Sequence, residues 1–286
     1  MANLILGTAA FGKEYGIANK GLKLESKEIG EILLTAQALG INEFDTAPSY
    51  IGAEAQLGKF LDQHQQPKVS SKLSKANSTS VRLILASVKE TLRRTKVSSL
   101  ETLYLHDPEA LTGKSAEETI AGLNEVISLG LAKRAGASVY SIQALLDAKA
   151  RYPSLSVFQV PENICDRRML SSSELVDLKN EGNQFNVRSL YLQGLLLMPP
   201  EAIPSKLQRA KTAVLQLKAF ADSCAALPID LCLAYGRAIP WASGIIIGPV
   251  SVAHLQQAVQ SKVQLPAAWE TSIEILPEAV LDPRRW

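Results

Sequence analysis

The sequence predicts an α/β protein that folds as a single-domain (β/α)8 TIM barrel, and three observations support this. The chain has 286 residues, a length typical of one such barrel. Short runs rich in Val, Ile and Leu alternate with segments of helical periodicity along almost the whole chain, as expected for parallel strands buried on both faces. No change of composition marks a linker, so we expect one domain over residues 1–286.

Eight strands account for these apolar runs. We expect them to end near Gly7, Asp45, Lys72, His106, Ser138, Val160, Leu190 and Gly248. Successive ends in the middle of the chain lie 22–34 residues apart, which leaves room for one helix and two loops in each unit. A doubly wound open sheet is the alternative, but it would normally carry a glycine-rich phosphate-binding motif after its first strand. The first strand here is followed by GTAAFGKEYG, which does not match such a motif.

Apolar residues recur at intervals of three and four residues between these strands. We predict helices over 27–39, 79–95, 116–129 and 206–226, and a further helix that begins at Pro228. In the first helix, Ile29, Leu33 and Ala36 share one face. In the second, we expect the buried face to carry Val81, Leu85, Val88 and Leu92.

Charge and cysteine content exclude several classes of function. Lys and Arg total 30, and Asp and Glu total 28, whereas a nucleic-acid-binding protein normally shows a concentrated basic excess. The three cysteines have no metal-binding or disulfide spacing, so we expect no metal site and a reducing cytoplasm. The N-terminal MANLILGTAAFGKEYG indicates a buried strand rather than a signal peptide, and no apolar run is long enough for a membrane span.

Four polar residues lie at or just beyond the predicted ends of three successive strands: Asp45, Tyr50, Lys72 and His106. A barrel brings neighbouring strand ends together at the face where barrel enzymes place their chemistry. A nearby ammonium lowers the pKa of a phenol, so we expect Lys72 to activate Tyr50 as a proton donor. Asp45 would pair with Lys72, and His106 would orient a substrate carbonyl through a hydrogen bond.

Several motifs around these residues resemble the aldo-keto reductase family. They occur in the family's order as NEFDTAPSYIGAEAQLG at 42–58, SSKL at 70–73, LYLHDP at 103–108, AGAS at 135–138, FQVPEN at 158–163 and RSLYLQGLL at 188–196. The resemblance extends from Gly7 to about Gln260. It implies a TIM barrel that binds NAD(P)H without a Rossmann domain and reduces an aldehyde or ketone to an alcohol, with Tyr50 as general acid and Asp45, Lys72 and His106 as its partners.

The resemblance also implies a set of cofactor contacts. Ser138 and Gln159 match the positions that hold the nicotinamide carboxamide, although Val139 stands where the family usually has Asn. Arg188 stands where the family often has a Tyr beneath the nicotinamide ring, and a guanidinium plane can stack on that ring. The remaining contacts implied are Gly7, Thr8, Ser189, Leu190, Gly194, Gly248, Ser251, His254 and Gln257.

The last strand and helix bear on the choice of nucleotide. In relatives that prefer NADPH, an Arg commonly binds the adenosine 2′-phosphate at the position of His254, and His is a weaker, pH-dependent phosphate ligand. Ser251 begins this helix, where backbone N–H groups attract phosphate oxygens. The resemblance predicts NADPH, with NADH as the alternative.

The substrate is less well defined. GTAAF replaces the frequent Gly-Thr-Trp of the family, and aromatic residues make up only 6% of the chain. An open, polar pocket suits a sugar or sugar derivative. We expect a monomer that acts on a small carbonyl compound, and a C-terminal tail over 262–286 that covers the active site, with Arg284, Arg285 and Trp286 near the substrate.

Two other functions are compatible with the residues alone. A lysine at a strand end could form a Schiff base, which would make Lys72 the nucleophile of an aldolase. Alternatively, the chain could be a non-catalytic module that senses nicotinamide nucleotides, as some relatives of the family do.

Overall fold

Eight parallel strands close into one barrel in the order of the sequence. The computed structural model describes residues 2–286, apart from the side chain of Gln63. The strands are β1 Asn3–Gly7, β2 Glu43–Asp45, β3 Lys68–Leu73, β4 Thr102–Leu105, β5 Ala135–Ser138, β6 Val157–Pro161, β7 Gln184–Arg188 and β8 Gly244–Ile247. The predicted single-domain (β/α)8 fold is therefore confirmed.

Helices alternate with the strands and surround the barrel. They are α1 Ser26–Ala38, α2 Ala53–Phe60, α3 Val81–Thr95, α4 Ala116–Ser128, α5 Ile142–Arg151, α6 Ser173–Asn180, α7 Lys211–Ser223, α8 Pro228–Ala238, α9 Val252–Gln260, α10 Trp269–Ser272 and α11 Glu278–Leu281. Two of them, α7 and α8, lie between β7 and β8, and the short α10 and α11 belong to the C-terminal tail. None of the helices in the described residues has the length and apolar character needed to cross a membrane.

The strands are buried because each is covered by the barrel interior on one side and by helices on the other. Every residue of β4, β5 and β6 is buried, which explains why their sequences lack polar alternation. Parallel pairing sets Gly7 opposite Asp45 and Ser138 opposite Gln159. This register brings several of the predicted site residues to one end of the barrel.

The observed strand ends differ from the predicted ones by at most two residues. The largest difference is at β7, which ends at Arg188 rather than near Leu190. Ser189 has a φ of 63°, and a left-handed residue cannot continue an extended strand. The strand therefore turns into its loop immediately after Arg188.

One helical prediction was wrong in detail, and another is extended by the structure. The segment 206–226 is not one helix, because Leu207 has φ −114° and ψ 15° within a short 3-10 turn, and α7 begins only at Lys211. In α3, the buried face is formed by Ile84, Val88, Thr91 and Thr95. Of the predicted apolar repeat, Val88 is fully buried, and Leu85 and Leu92 are half-buried and pack against the core. Thr91 joins this face through a hydrogen bond from its hydroxyl to Glu54 at 2.9 Å.

Glu54 ties α2 to two neighbouring elements. Its buried carboxylate also accepts from the hydroxyl of Ser71 on β3 at 3.3 Å and lies 3.4 Å from a guanidinium nitrogen of Arg94 on α3. A buried carboxylate with several donors is costly to disrupt. These contacts fix α2 against the barrel directly after the loop that carries Tyr50.

The contact between α2 and α3 predicts a steric test of the fold. A Cβ atom at Gly58 would lie 2.0 Å from the carbonyl oxygen of Arg94, so Gly58→Ala must displace the backbone of one helix. We expect a loss of about 1–3 kcal/mol in the free energy of unfolding, measured by urea denaturation. Gly113→Ala is the control, because the nearest atom to its added Cβ is 3.9 Å away. Equal stability of the two variants would contradict this packing.

Candidate active site

A buried ion pair forms the centre of the predicted site. Lys72 Nζ lies 2.6 Å from Asp45 Oδ2, and the two side chains are 3% and 6% exposed. The same ammonium donates to the carbonyl oxygen of Thr46 at 3.1 Å, and Gln159 Nε2 donates to the second carboxylate oxygen of Asp45. Burial lowers the pKa of Lys72, and the Asp45 carboxylate opposes this effect.

Tyr50 lies beside this pair, at the end of the loop between β2 and α2. Lys72 Nζ is 5.1 Å from the centroid of the Tyr50 ring. Burial raises the pKa of Tyr50 above its ordinary value, and the Asp45 carboxylate raises it further. The phenol therefore keeps its proton at neutral pH.

The expectation that Lys72 lowers the pKa of Tyr50 needs correction. The cation that acts in this direction is Arg188. Burial and the Asp45 carboxylate outweigh Arg188, so the pKa of Tyr50 is raised.

His106 follows β4 at the same end of the barrel. Its backbone N–H donates to the carbonyl oxygen of Leu73 at 3.0 Å, which continues the pairing of β4 with β3. Partial burial lowers the pKa of His106, and the charges of Lys72 and Arg188 lower it further. The imidazole is consequently neutral at pH 7 and can donate one hydrogen bond.

Two of the predicted cofactor residues are adjacent within the barrel. Ser138 and Gln159 are opposite each other on β5 and β6, and they are 3% and 1% exposed. Gln159 Oε1 is a buried acceptor without a hydrogen-bond partner. Such an orphaned oxygen is unfavourable unless a donor reaches it, and the NH2 group of a nicotinamide carboxamide is a donor of the right kind. These residues therefore fit the implied cofactor.

Arg188, at the end of β7, is held across the mouth of the barrel. Its guanidinium donates to the carbonyl oxygen of Val139 at 3.1 Å and to Ser189 Oγ at 3.3 Å. The guanidinium carbon lies 4.2 Å from the centroid of the Tyr140 ring. The positive charge of Arg188 is thus kept near the predicted catalytic residues, where it lowers the pKa of Tyr50 and of His106.

Gly7 and Thr8, at the end of β1, support Asp45 directly. The Thr8 hydroxyl and backbone N–H both donate to the carbonyl oxygen of Asp45, at 3.0 and 2.9 Å. Thr8 is completely buried. Their contact with the cofactor stays a prediction.

The loop after β7 has an unusual backbone. Leu192, Gln193 and Gly194 all have positive φ values, of 47°, 54° and 88°, and Ser189 adds another. Such conformations are costly for residues other than Gly and tend to occur at functional sites. The loop also packs closely on the segment after β1, since a Cβ atom at Gly16 would lie 2.9 Å from the carbonyl oxygen of Gln193.

The segment after β8 presents a helix N-terminus. Ser251 is the N-cap of α9, and its Oγ accepts from the backbone N–H of His254 at 3.1 Å. His254 is exposed in the first turn, and the half-buried Gln257 lies one turn further on. Gly248 is exposed at the end of β8. Among the described residues, no hydrogen bond or ion pair joins these four residues to Tyr50 or Lys72, but they follow β8 at the same end of the barrel.

Two residues of the site were missed from the sequence. The ring of Tyr15, in the segment after β1, has its centroid 6.4 Å from that of Tyr50, and the residue remains 37% exposed. Tyr140, after β5, lies beside Arg188. Each follows the C-terminal end of a strand, which is the signal that could have identified them.

The tail over 262–286 packs on the loops after β5 and β6. The guanidinium of Arg167 donates to the carbonyl oxygens of Glu270 and Ile273, at 2.9 and 2.5 Å. At the far end, the guanidinium carbon of Arg284 lies 3.6 Å from the centroid of the Tyr140 ring. The exposed Arg285 pairs with Glu278, and Trp286 donates to the carbonyl oxygen of Val280, so contact of these two with substrate stays a prediction.

A buried carboxyl group anchors the loop on which this tail rests. Glu162, directly after β6, is completely buried and accepts from the Tyr235 hydroxyl at 2.6 Å and from the backbone N–H of Met169 at 3.3 Å. Burial raises the pKa of Glu162 to about 8. The group is therefore neutral over most of the physiological range.

A polar cavity of about 280 Å³ opens at the other end of the barrel. Its lining includes the starts of several strands, at Asn3, Lys68 and Ser243, and it reaches Asp45 and Gln159 from below. Among the described residues, no group of three His, Cys, Asp or Glu side chains could hold a metal ion.

Residues 3–274 match the sequence model of the Aldo/keto reductase family. The match spans nearly the whole chain. This protein belongs to the aldo/keto reductase family, and it is accordingly an NAD(P)H-dependent oxidoreductase.

Similar proteins agree with this family. The chain is 28% identical over 267 residues to L-galactose dehydrogenase of Arabidopsis thaliana. The alignment covers 86% of this chain and 81% of the relative. It is 25% identical over 300 residues to an Arabidopsis thaliana protein described as "Probable voltage-gated potassium channel subunit beta". This alignment covers 93% of this chain and 90% of the relative. The crystal structure of a thermostable aldo-keto reductase in complex with the inhibitor epalrestat superimposes with a TM-score of 0.72 at 23% identity, over 95% of this chain and 93% of that one, and supports the fold.

The raised pKa of Glu162 predicts a pH-dependent stability. Between about pH 4.5, the ordinary value for Glu, and about pH 8, the folded protein holds a proton that the unfolded chain has lost, so stability falls as the pH rises. Glu162→Gln keeps the size of the side chain and one acceptor oxygen for the Tyr235 hydroxyl but cannot ionise, so we expect it to lessen this fall by about 2–4 kcal/mol between pH 5 and pH 9. Urea unfolding at several pH values measures the effect, with the surface variant Glu201→Gln as control. An unchanged slope in Glu162→Gln would contradict the assignment.

Proposed function

We propose that this aldo-keto reductase converts an aldehyde or ketone to the alcohol with Tyr50 as the general acid. The observation that carries the proposal is the position of the Lys72 ammonium, 5.1 Å from the Tyr50 ring and 2.6 Å from the Asp45 carboxylate. A proton donor and a fixed buried cation are the two features that such a reaction requires of the protein.

Tyr50 supplies the proton. Because burial raises its pKa, the phenol is fully protonated at neutral pH before the reaction begins. As negative charge develops on the carbonyl oxygen, the phenol donates its proton there, and the Arg188 cation stabilises the phenolate that forms.

The other residues fix the geometry. Asp45 and the carbonyl oxygen of Thr46 hold the Lys72 ammonium in place. The neutral imidazole of His106 donates a hydrogen bond to the carbonyl oxygen of the substrate and orients it toward Tyr50. When bound, NAD(P)H supplies the hydride that reaches the carbonyl carbon.

NADPH is the proposed nucleotide, with NADH as the alternative. Gln159 Oε1 would accept a hydrogen bond from the nicotinamide carboxamide, and the hydroxyl of Ser138 would donate one to it. The carboxamide would thus satisfy the Gln159 oxygen, which is buried without a partner. Ser251 and the first turn of α9 would bind phosphate oxygens, and His254 would contact the 2′-phosphate. Arg188 would stack on the nicotinamide ring with the face of its guanidinium, and Gly7, Thr8, Ser189, Leu190, Gly194, Gly248 and Gln257 complete the proposed set.

A sugar or sugar derivative is the proposed substrate class. The phenol of Tyr15 lies beside Tyr50, and His106 is close enough to Lys72 and Arg188 to feel their charge; such polar groups suit a hydroxylated substrate. The similarity to L-galactose dehydrogenase supports this choice. We further propose that the protein acts as a monomer in the cytoplasm and that its tail borders the substrate pocket.

Neither alternative function has comparable support. A Schiff-base aldolase needs an accessible, deprotonated lysine, whereas Lys72 is 3% exposed and paired with Asp45 at 2.6 Å. The similarity to the channel subunit suggests a nicotinamide-sensing module. However, all four residues of the catalytic set are present here.

Replacement of Tyr50 tests the proposal. Tyr50→Phe removes the acidic proton and keeps the ring, so we expect kcat for aldehyde reduction to fall by about 10²–10⁴-fold. Binding of NADPH, measured by quenching of intrinsic fluorescence, should be unchanged and tighter than binding of NADH. Tyr152→Phe is the matched control, because its hydroxyl donates to Asn124 at 2.7 Å and belongs to no part of the site. Wild-type turnover in Tyr50→Phe would refute the role of Tyr50.

A further inference from the structure

The charged groups that act on the pKa of Tyr50, Lys72 and His106 are paired, apart from Arg188. Lys72 pairs with Asp45 at 2.6 Å, Arg284 with Asp282 at 2.8 Å, and Lys75 lies 3.8 Å from Asp107. Arg188 has no carboxylate within ion-pair distance in the part of the chain that the structure describes. Because His106 is neutral, one uncompensated positive charge remains at the mouth of the barrel.

The guanidinium of Arg188 also retains unused hydrogen-bond donors. It carries five N–H groups, and only its bonds to the Val139 carbonyl and to Ser189 Oγ have protein acceptors. Its Nε atom is buried and has no partner. A half-buried cation with a free buried donor is costly unless an acceptor, preferably an anion, completes it.

Arg188 is held rigidly enough to act as a binding group. Its guanidinium lies 4.2 Å from the centroid of the Tyr140 ring, and the guanidinium of Arg284 lies 3.6 Å from the same centroid. Arg284 is itself paired with Asp282, so it holds Tyr140 without needing an anion. The contacts of Tyr140 and Val139 therefore fix the direction of the unpaired guanidinium before any ligand arrives, which reduces the entropic cost of binding.

We propose that Arg188 binds the carboxylate of a carbonyl substrate, so that this enzyme prefers aldehyde or keto acids, such as sugar acids, over neutral carbonyl compounds. The inference rests on the proposed carbonyl reduction and names the substrate class of that same site. The proposed substrate carries one negative charge because the positive charge of Arg188 is the one left without a partner at this site. The free N–H donors of a guanidinium suit the oxygens of a carboxylate.

A pair of substrates that differ only in charge tests the inference. The probes are 4-carboxybenzaldehyde and its neutral amide, 4-formylbenzamide, with NADPH as reductant. We expect kcat/KM of the wild-type enzyme to be about 10–100-fold higher for the carboxylate, mainly through KM, as for one hydrogen-bonded charge pair. In Arg188→Gln the ratio should fall to near one, whereas Arg188→Lys should retain part of it.

The control variant is Arg151→Gln, which makes the same change of net charge at an exposed residue of α5. It should keep the wild-type ratio. A ratio near one in the wild-type enzyme, or the same high ratio in Arg188→Gln, would overturn the inference. So would a variant that loses NADPH affinity while the ratio is unchanged, because Arg188 would then be a ligand of the cofactor alone.

Binding without turnover separates this inference from the proposed function. Calorimetric titration with 4-(hydroxymethyl)benzoate and 4-(hydroxymethyl)benzamide, the corresponding alcohols, should show tighter binding of the carboxylate to the wild-type enzyme and no difference in Arg188→Gln. If neither aldehyde is reduced but this difference in affinity is present, the reaction proposal fails and the anion site stands. If both aldehydes are reduced and the two alcohols bind equally, only the anion site fails.

Discussion

The ion pair between Lys72 and Asp45 is the contact on which the rest of the site depends. An isolated charge in the interior of a barrel would cost several kcal/mol, so neither residue is tolerable there without the other. Their partners reinforce the arrangement, since Gln159 donates to the Asp45 carboxylate and Thr8 donates to the Asp45 carbonyl oxygen. A pair held in this way places a fixed ammonium beside Tyr50.

The barrel supplies this geometry through its register. Because parallel neighbours are aligned, the ends of β2 and β3 bring Asp45 and Lys72 together over a chain separation of 27 residues. The interior beneath them is polar, with Tyr104 accepting from the Asn186 amide at 3.0 Å. Gly136 makes room for this tyrosine, since a Cβ atom there would lie 2.7 Å from its ring. The site therefore rests on a hydrogen-bonded layer in place of the usual apolar one.

The sequence predicted the barrel, the strand ends and the ion pair because each follows from a local or periodic pattern. Apolar runs located the strands to within two residues, and Asp45 and Lys72 each terminate or nearly terminate a strand. The direction of the Tyr50 pKa could not be predicted in the same way, since it depends on burial and on the charge of the nearby Asp45 carboxylate, both of which are tertiary effects. Tyr15 and Tyr140 were missed because loop residues carry no periodicity, and the position of Arg284 against Tyr140 depends on how the tail folds back.

The central claim is that Lys72 and Asp45 act as one buried unit, and a double-mutant cycle on the free energy of unfolding tests it most directly. We predict that Asp45→Asn and Lys72→Met each cost about 3–5 kcal/mol, because each leaves a buried charge without its partner. The double variant should cost less than the sum of the two, with a coupling energy of about 1–3 kcal/mol. Additive effects to within about 0.5 kcal/mol would show that the two side chains do not interact and would contradict this account.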